Sequence, residues 1–590
     1  MTIEEMDITT LWAEMAVEEL VRSGVTMFII TPGSRSTPLA LAVARNTRAE
    51  IITHFDERGA GFVAVGYARG SHKPAALICT SGTAMANYLP AVVEASMDHL
   101  PLIVLSADRP PELQETGANQ TIQQSGIFGS FVRWEQTMPC PTESIAPGFV
   151  LTTIDQAVYR AIGQNAGPVH LNFQFREPLA PDANKPAARE YRSGLARWMS
   201  NGRAYTTYAG SSAMISEADV ADIAPEIASA QSGLLVVGRL KQTADQDRSV
   251  AELARQLGWP VVADIGSGLR LGQTVDNHIA YFDLALLGKA TEMHCDCIVH
   301  LGGPLVSKRV AEFIASQKTE YIVVNNHPDR QDIGHSVTRR IVADIGAFAS
   351  SLASHLGVIK GGHGKSMAAR DMAITQLLEG EIDNGAFCEL TVPRVVTREI
   401  GADSAIFLAS SLTVRDFDMY APCDGPRVPV GCNRGASGID GTVASAVGFA
   451  RGLNRPTTLV IGDTALLHDL NSLSLLRADD VPPITIVVVN NGGGAIFSML
   501  PVADSPSAIA RGGTLEQLFL QQHSFDFRSA AEMFGLVYLQ PSDTAGFRKA
   551  YKDAIASGKP RLIELRFDWR ESRRVRLDLR DKVRAILDKG

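Results

Sequence analysis

Short apolar runs alternate with helical patterns along most of this chain, and this alternation constrains the fold more than any other feature. It recurs in three segments, the first reaching about Pro181, the second starting near Ser216 and the third starting near Met367. Strands that alternate with helices build parallel sheets with helices on both faces. We therefore predict an α/β protein of three consecutive doubly wound domains, each with a mainly parallel sheet flanked by helices, over 1–185, 210–358 and 368–590.

The predicted strands are apolar runs that stop at turn residues. In the first domain they are Val25–Ile30, Ile51–Phe55, Ala75–Cys79 and Leu102–Ser106. In the second they are Gly233–Val237, Pro260–Ala263, Cys297–Leu301 and Tyr321–Asn325, and in the third Ala405–Ala409, Thr457–Ile461 and Thr485–Val489. The polar stretch Pro181–Arg189 is a predicted linker, and the Gly-rich run Lys360–Lys365 is predicted to end the second domain.

Composition excludes several classes of protein. The chain has 590 residues, 45% of them hydrophobic, which suffices for several cores because one core stops growing near ~250–300 residues. The net charge of −9 argues against a nucleic-acid groove. We expect neither a signal peptide at the acidic N-terminus nor a membrane span, which needs ~20 apolar residues. Seven cysteines, an odd number, fit a reducing cytoplasm.

Two predicted strands of the third domain end in residues that suit a cation. Thr457–Ile461 is followed by Asp463, and Thr485–Val489 is followed by Asn491 and Gly493. Both strand ends would lie on one edge of a parallel sheet, where open α/β folds bind ligands. Mg²⁺ prefers hard oxygen ligands, which the carboxylate, the amide and the glycine carbonyl offer. A helix that starts after the aspartate would present N–H groups to a diphosphate.

This pattern resembles the signature of thiamine-diphosphate enzymes, in which Gly-Asp is followed by Asn-Asn at the end of a later strand. The resemblance implies thiamine diphosphate with Mg²⁺, or Mn²⁺ as an alternative, held through Asp463, Asn491 and Gly493. It also implies that Thr464 and Ala465 lie at the diphosphate. The family pattern usually continues Gly-Asp-Gly, and Thr464 departs from it.

Glu57 is the candidate for activating such a cofactor. Thiamine chemistry needs a carboxylate hydrogen-bonded to the far nitrogen of the aminopyrimidine ring, in a dry pocket where the interaction is strong. Glu57 follows the predicted strand Ile51–Phe55, and the segment Asp56–Ala60 resembles the pyrimidine-binding domain of the same superfamily. The alternative is that Glu57 only occupies the first turn of a helix, where the dipole favours an acidic side chain.

Longer segments narrow the resemblance to one family. They are Thr31–Pro38, Ser106–Leu113 with Gly117–Gln120, Asn433–Gly441 and Ile496–Pro501. All are similar to the synthases that make 2-succinyl-5-enolpyruvyl-6-hydroxy-3-cyclohexene-1-carboxylate (SEPHCHC) in menaquinone biosynthesis. The resemblance implies decarboxylation of 2-oxoglutarate and 1,4-addition of the succinyl carbanion equivalent to isochorismate, giving SEPHCHC and CO₂.

The same resemblance implies which side chains contact the substrates. Both substrates carry two carboxylates, and arginine suits bidentate carboxylate capture. We expect Arg415 and Arg434 near the succinyl carboxylate, and Arg35, Arg109 and Lys308 nearer isochorismate. Any single arginine is more often part of a surface ion pair. The full implied set is Ser34, Arg35, Arg109, Gln120, Lys308, Arg309, Ser411, Arg415, Arg434, Ile496, Phe497 and Leu500.

The family resemblance also implies contacts with the cofactor rings and an oligomer. Ile439 is expected to wedge between the two rings, Ser437 to face the pyrimidine, and Gln120 to lie at the cofactor. Ile496, Phe497 and Leu500 would form an apolar wall, or belong to the ordinary core. The active sites are expected between subunits of a homodimer or homotetramer.

Other functions stay open at this point. A related thiamine-diphosphate decarboxylase or carboligase would share the cofactor residues but not the arginine set. A non-catalytic relative would have kept only the fold. A nicotinamide or flavin enzyme is disfavoured because no predicted strand leads into a clear G-x-G-x-x-G loop. The segment His294–Cys297 suggests a metal site, but one Cys-x-Cys pair is weak for zinc and structural burial is the better interpretation.

Overall fold

The computed structural model describes residues 3–209, 214–288, 294–357, 364–478, 480–505 and 514–588, which include three parallel sheets. The strands of the first sheet are β1 (Met27–Ile30), β2 (Glu50–Thr53), β3 (Ala75–Cys79), β4 (Leu102–Asp108), β5 (Trp134–Met138) and β6 (Pro168–Gln174). Their order is β2-β1-β3-β4-β6-β5. All neighbouring strands are parallel, so their carboxyl ends share one edge.

The second and third sheets are also parallel throughout. The second contains β7 (Gly233–Val237), β8 (Val261–Ala263), β9 (Cys297–Leu301), β10 (Glu320–Asn325) and β11 (Arg339–Val342), in the order β11-β10-β9-β7-β8. The third contains β12 (Ala405–Leu408), β13 (Val430–Cys432), β14 (Thr457–Gly462), β15 (Ile484–Asn490), β16 (Val537–Leu539) and β17 (Arg561–Arg566), in the order β13-β12-β14-β15-β17-β16. The prediction of an α/β fold with three mainly parallel sheets is confirmed.

Helices separate the strands along the chain. Up to residue 200 they are Ile8–Arg22, Thr37–Arg45, Glu57–Ser71, Thr83–Ala86, Leu89–Met97, Gly148–Ile162, Arg189–Ser193 and Ala196–Met199. Around the second sheet they are Glu217–Ser229, Ala244–Leu257, Phe282–Ala285, Lys308–Ser316 and Ile345–His355. From residue 364 onward they are Gly364–Leu378, Thr391–Glu399, Leu412–Tyr420, Thr442–Leu453, Asp463–His468, Arg528–Met533, Thr544–Ala556 and Trp569–Leu587. Among the described helices, none combines the length and apolar character that crossing a membrane requires.

Contacts group the chain into two compact units. The N-terminal unit comprises Met1–Ser211, Asn433–Asn454 and His468–Pro482. The C-terminal unit comprises Ser212–Cys432, Arg455–Leu467 and Pro483–Gly590. The first sheet belongs to the N-terminal unit, and the other two sheets belong to the C-terminal unit. The domain bounds 1–185, 210–358 and 368–590 stay predictions, although each sheet lies within one of these ranges.

Two helices of the N-terminal unit pack with their backbones unusually close. A Cβ atom added to Gly448, on helix Thr442–Leu453, would lie 2.0 Å from the carbonyl oxygen of Val63, on helix Glu57–Ser71. Gly66 meets the facing backbone at the same distance. Larger side chains would push the helices apart, so glycine is required at this contact. The contact fixes the helix that begins at Glu57.

The central strands form the cores because their side chains are apolar on both faces, as parallel sheets covered by helices require. Every residue of β3, β4, β7 and β9 is buried. Three strands are confirmed without a change in bounds, namely Ala75–Cys79, Gly233–Val237 and Cys297–Leu301. The other predicted strands are confirmed with ends that shift by one or two residues. Sequence analysis did not predict β5, β6, β11, β13, β16 and β17.

The predicted linker is wrong, because the segment packs onto the N-terminal unit. Ala187 is buried and its N–H donates to the Met6 carbonyl at 2.8 Å. Just beyond it, the Tyr191 hydroxyl accepts a hydrogen bond from Trp12 Nε1 at 2.8 Å. The stretch is therefore anchored by the small apolar Ala187 within it and by the aromatic Tyr191 after it. Its polar composition gave no indication of these contacts. Most of the run 360–365 lies outside the described residues.

Candidate functional site

Asp463 joins the carboxyl ends of two central strands, β14 and β15. Its side chain is 2% exposed. Oδ1 accepts a hydrogen bond from the Thr464 N–H at 2.6 Å, and Oδ2 accepts from the Gly492 and Gly493 N–H groups at 2.8 and 2.9 Å. Burial raises the pKa of the Asp463 carboxyl, while these hydrogen bonds and His523 oppose the rise. A bound cation would likewise favour its ionised form.

Asn491 directly follows β15 and precedes Gly492, whose N–H group donates to Asp463. Its Nδ2 donates to Glu389 Oε1 at 2.9 Å. Its Oδ1 is buried and has no hydrogen-bond partner among the described residues. An unsatisfied buried oxygen costs about 1–3 kcal/mol, which a ligand at this atom would offset. The ligand that suits an amide oxygen next to a carboxylate is a hard cation.

The glycines after Asn491 shape the loop that closes this edge. Gly493 has φ +142°, and a Cβ atom there would lie 2.2 Å from the Leu520 carbonyl oxygen, so glycine is required. Its own carbonyl accepts from the Ala495 N–H at 3.0 Å. His523, which sequence analysis missed, places Nε2 3.5 Å from Asp463 Oδ2. The buried carboxylate and the unpartnered amide oxygen fit a divalent cation.

A buried ionic network behind Asn491 was also missed. Glu389 Oε2 accepts from Arg576 at 2.7 Å, and Arg576 also forms a two-pronged pair with Asp416. All three residues are at most 8% exposed. They come from residues widely separated in the chain, and isolated charged residues carry no local signal of such a network.

Glu57 is the first residue of helix Glu57–Ser71 and is partly buried. Asp56 caps this helix by accepting from the Arg58 N–H at 3.0 Å. Burial raises the pKa of the Tyr88 phenol, and Cys79 and then Glu57 add smaller electrostatic contributions to the rise. The structure therefore gives Glu57 the helix-start position that the simpler interpretation requires, together with a partly dry environment that suits an activating carboxylate.

The loop that carries Ser437 and Ile439 lies in the same unit as Glu57, and a buried carboxylate holds it. Glu94 is 2% exposed and accepts from the N–H groups of Gly435, Ala436 and Ser437 at 2.8, 2.7 and 3.3 Å. Ser437 has φ +62°, a left-handed conformation. Sequence analysis missed Glu94, because it lies inside a helix far from this loop in sequence.

Two predicted substrate arginines approach each other in the N-terminal unit. Arg35 follows β1, is buried, and donates to the Phe175 carbonyl at 2.9 Å and to Glu177 at 3.3 Å. Burial and the nearby Arg109, which follows β4, lower the pKa of Arg35. Two guanidinium groups close together favour an anion between them.

Three other predicted site residues also belong to the N-terminal unit. Ser34 and Gln120 are exposed, and Gln120 has φ +54°. A Cβ atom on Gly82, after β3, would lie 3.5 Å from Gln120 Cβ. Arg434 is partly exposed and belongs to the loop held by Glu94.

Predicted substrate residues of the C-terminal unit are spread over several elements. Ser411 precedes helix Leu412–Tyr420, and its carbonyl accepts from Arg415 at 2.5 Å. Arg309 pairs with the largely buried Asp283, while Lys308 is highly exposed and lies 3.3 Å from Glu312.

The remaining predicted positions of this unit follow the two cation-site strands. Ala465 is buried in the helix that starts at Asp463. Ile496 and Phe497 are partly buried and Leu500 is 43% exposed, all after β15. Phe497 contacts Phe519 with ring centroids 5.8 Å apart.

The segment His294–Cys297 is structural in its contacts. Cys295 and Cys297 are buried, and burial raises the pKa of both thiols to about 12. Asp296 accepts from the backbone N–H groups of Gln231 and Ser232 at 2.7 and 2.9 Å. All seven cysteines of the chain are free thiols.

Three family models match successive parts of the chain. Residues 12–127 match the family described as "Thiamine pyrophosphate enzyme, N-terminal TPP binding domain". Residues 189–408 match "Middle domain of thiamine pyrophosphate", and residues 417–565 match "Thiamine pyrophosphate enzyme, C-terminal TPP binding domain". Among solved structures, a thiamine diphosphate-dependent 4-hydroxybenzoylformate decarboxylase of Rhodococcus jostii has a similar fold, with TM-score 0.71, 18% identity, and coverage of 94% of this chain and 99% of that chain.

Curated relatives are similar over nearly the whole length. A 2-succinyl-5-enolpyruvyl-6-hydroxy-3-cyclohexene-1-carboxylate synthase of Rubrobacter xylanophilus is 46% identical over 95% of this chain and 96% of its own. A protein of the same name from Prosthecochloris aestuarii is 43% identical over 95% of both chains. The chain therefore belongs to the 2-succinyl-5-enolpyruvyl-6-hydroxy-3-cyclohexene-1-carboxylate synthase family of thiamine-diphosphate-dependent enzymes.

Proposed function

We propose that this enzyme decarboxylates 2-oxoglutarate and adds the resulting succinyl unit to isochorismate, giving SEPHCHC and CO₂ in menaquinone biosynthesis. The similarity at 46% identity over 95% of the chain supports this choice of substrates. Binding of the cofactor and its cation is supported by one observation. The buried, unpartnered Asn491 Oδ1 and the buried Asp463 carboxylate both lie at the carboxyl ends of β14 and β15. Open α/β sheets bind their ligands at this edge.

When bound, thiamine diphosphate supplies the electron sink that lets a 2-oxo acid lose CO₂ and lets its former carbonyl carbon act as a nucleophile. Asp463, Asn491 and the Gly493 carbonyl would hold Mg²⁺ or Mn²⁺ against the diphosphate, next to Thr464 and Ala465. Glu57 would accept a hydrogen bond from the aminopyrimidine ring and so favour the tautomer that removes a proton. Ser437, Ile439 and Gln120 would contact the rings.

The charged residues would divide the substrate carboxylates between them. Arg35 and Arg109 lie close together and would bind isochorismate, with Ser34 and Lys308 nearby in this assignment. Arg415 and Arg434, with Ser411, would bind the succinyl carboxylate. Arg309 would also contribute to substrate binding, although its guanidinium pairs with Asp283. Ile496, Phe497 and Leu500 would exclude water from the reacting carbon.

The proposed active assembly is a homodimer or homotetramer in the cytoplasm. In it, Glu57 of one chain and Asp463 of another would act on the same cofactor. Membership of the thiamine-diphosphate enzyme family supports this arrangement, and the seven free thiols fit a reducing compartment.

The first test is turnover of 2-oxoglutarate with isochorismate, with and without thiamine diphosphate and Mg²⁺. Product formation only when both additions are present is expected. Pyruvate replaces 2-oxoglutarate in the control, because it lacks the second carboxylate that the arginines would bind. Equal turnover of pyruvate would indicate a different carboligase.

The second test is Glu57→Gln, which keeps the size of the side chain but removes the carboxylate. Turnover is expected to fall by roughly 10²–10⁴-fold, the usual contribution of acid–base activation. Calorimetric titration with thiamine diphosphate is expected to show binding close to that of the unaltered enzyme. A fully active variant would overturn the role of Glu57.

A further inference from the structure

The orientation of the Asn491 amide decides whether a cation at this site meets an oxygen or an N–H group. An asparagine side chain has an acceptor end and a donor end of nearly equal size, so its hydrogen-bond partners select the orientation. Here Nδ2 donates to Glu389 Oε1 at 2.9 Å and Oδ1 is the unpartnered buried end. An ionised carboxylate accepts but does not donate, so Glu389 would disfavour the reversed amide.

The neighbouring residue shows that this arrangement is specific. Asn490 also donates to a buried glutamate, Glu564, at 2.7 Å. Its Oδ1, however, accepts from the Gly492 N–H at 3.1 Å. Both adjacent asparagines therefore donate to a buried glutamate, but of these two only Asn491 leaves its oxygen without a hydrogen-bond partner.

Glu389 is itself held in place. It is 3% exposed and lies two residues before the start of helix Thr391–Glu399. Its second oxygen accepts from Arg576 at 2.7 Å, on helix Trp569–Leu587, and the same guanidinium pairs with Asp416 through both of its terminal nitrogens. Such a pair fixes the plane of the guanidinium.

We propose that Glu389 is a positioning residue that turns the Asn491 oxygen toward the catalytic cation. This inference rests on the proposed function, which puts the cation at Asp463 and Asn491. With the amide reversed, an N–H group would face the cation and the oxygen would face the Glu389 carboxylate, so both contacts would be repulsive. Outer partners that orient metal ligands in this way contribute substantially to metal affinity.

The test is a double-mutant cycle on the full-length enzyme, with Mg²⁺ titrated calorimetrically in the presence of thiamine diphosphate. The four proteins are the unaltered enzyme, Glu389→Gln, Asn491→Asp and the double variant. In Glu389→Gln, Mg²⁺ binding is expected to weaken by roughly 10–100-fold, because the introduced amide allows Asn491 to reverse. In the Asn491→Asp background the same change is expected to have no such effect, because a carboxylate presents an oxygen at either end.

The double variant exchanges the donor and acceptor and keeps the net charge. The introduced glutamine can donate to the introduced aspartate and still accept from Arg576. Melting of the metal-free proteins gives an independent readout, since Asn491→Asp alone sets two buried carboxylates against each other. Asn491→Asp alone is expected to lower the melting temperature. We expect that adding Glu389→Gln to it restores the melting temperature.

Asp416→Asn is the control for simple loss of stability. This variant weakens the pair between residue 416 and Arg576, which does not include Asn491. Glu389 can still accept a hydrogen bond from Asn491. We expect a lower melting temperature with little change in Mg²⁺ affinity. If Asp416→Asn weakens Mg²⁺ binding as much as Glu389→Gln does, or if Glu389→Gln has the same effect in both backgrounds, the positioning role is overturned. An unaltered enzyme that binds no Mg²⁺ would overturn the proposed function as well.

Discussion

Replacing Glu94 by glutamine tests how the loop with Ser437 and Ile439 is held. The Glu94 carboxylate accepts from three consecutive backbone N–H groups, those of Gly435, Ala436 and Ser437. Glutamine has nearly the same shape, but one of its two ends donates. It can therefore keep the contacts of one carboxylate oxygen and must give up those of the other.

The magnitude follows from the contact that is lost. Oε2 holds two of the N–H groups, whereas Oε1 holds that of Gly435 and lies 3.5 Å from Arg69, so a variant that keeps an oxygen at the Oε2 position gives up the Gly435 contact and weakens the one with Arg69. A hydrogen bond to a charged acceptor contributes ~1.5–3 kcal/mol. A loss of about 2 kcal/mol corresponds to an about 30-fold larger open population of the loop, because each 1.4 kcal/mol is about tenfold in an equilibrium constant.

Amide hydrogen exchange of the loop is the assay. Exchange at Gly435, Ala436 and Ser437 is expected to accelerate by about 30-fold, while amides in β3 and β4 keep their protection. Affinity for thiamine diphosphate should fall as well, because the loop would have to be ordered on binding. Glu112→Gln is the matched control, since Glu112 is exposed and pairs with Arg176 at the surface. Unchanged exchange of all three amides in the Glu94 variant would refute the reasoning.

Two further substitutions test the packing and the electrostatics of the N-terminal unit. Gly448→Ala would put a methyl group 2.0 Å from the Val63 carbonyl oxygen, and we expect a loss of about 1–3 kcal/mol, seen as a lower melting temperature. Gly380→Ala, at a helical glycine with open space around it, should be neutral or slightly stabilising, and equal melting of both variants would contradict the packing argument. Burial, and then Asp155, raises the pKa of Glu19 to about 7, so the folded state binds the proton more tightly than the unfolded state. Stability should therefore fall as pH rises from about 4.5 to about 7, and melting curves of Glu19→Gln should lose this dependence; an unchanged pH slope would disprove the assignment.

Much of the fold was predictable because buried parallel strands are continuous apolar runs. Ala75–Cys79 and Gly233–Val237 are apolar throughout, and their predicted bounds agree with the structure. The edge strands β5, β11 and β16 were missed because they are short or partly polar, and their burial depends on a single neighbouring strand. The linker prediction failed because a polar stretch hid the few apolar residues that anchor it.

The candidate site likewise contains residues that the sequence predicts and residues that it does not. Asp463 and Asn491 were predictable because each directly follows a buried strand, so position along the chain gave their place at the sheet edge. Glu389 and Glu94 were not, because each acts through a partner more than a hundred residues away, and their neighbours carry no pattern. Long-range contacts of single charged residues become visible only when the chain is folded.

The most direct test of the central claim is complementation between two inactive chains, Glu57→Gln and Asp463→Ala, co-expressed with different affinity tags. If Glu57 of one chain and Asp463 of another act on one cofactor, the mixed dimer keeps one intact site of two and should show about half of the unaltered activity. Mixed dimers without activity, formed from chains that fold and associate normally, would contradict the account.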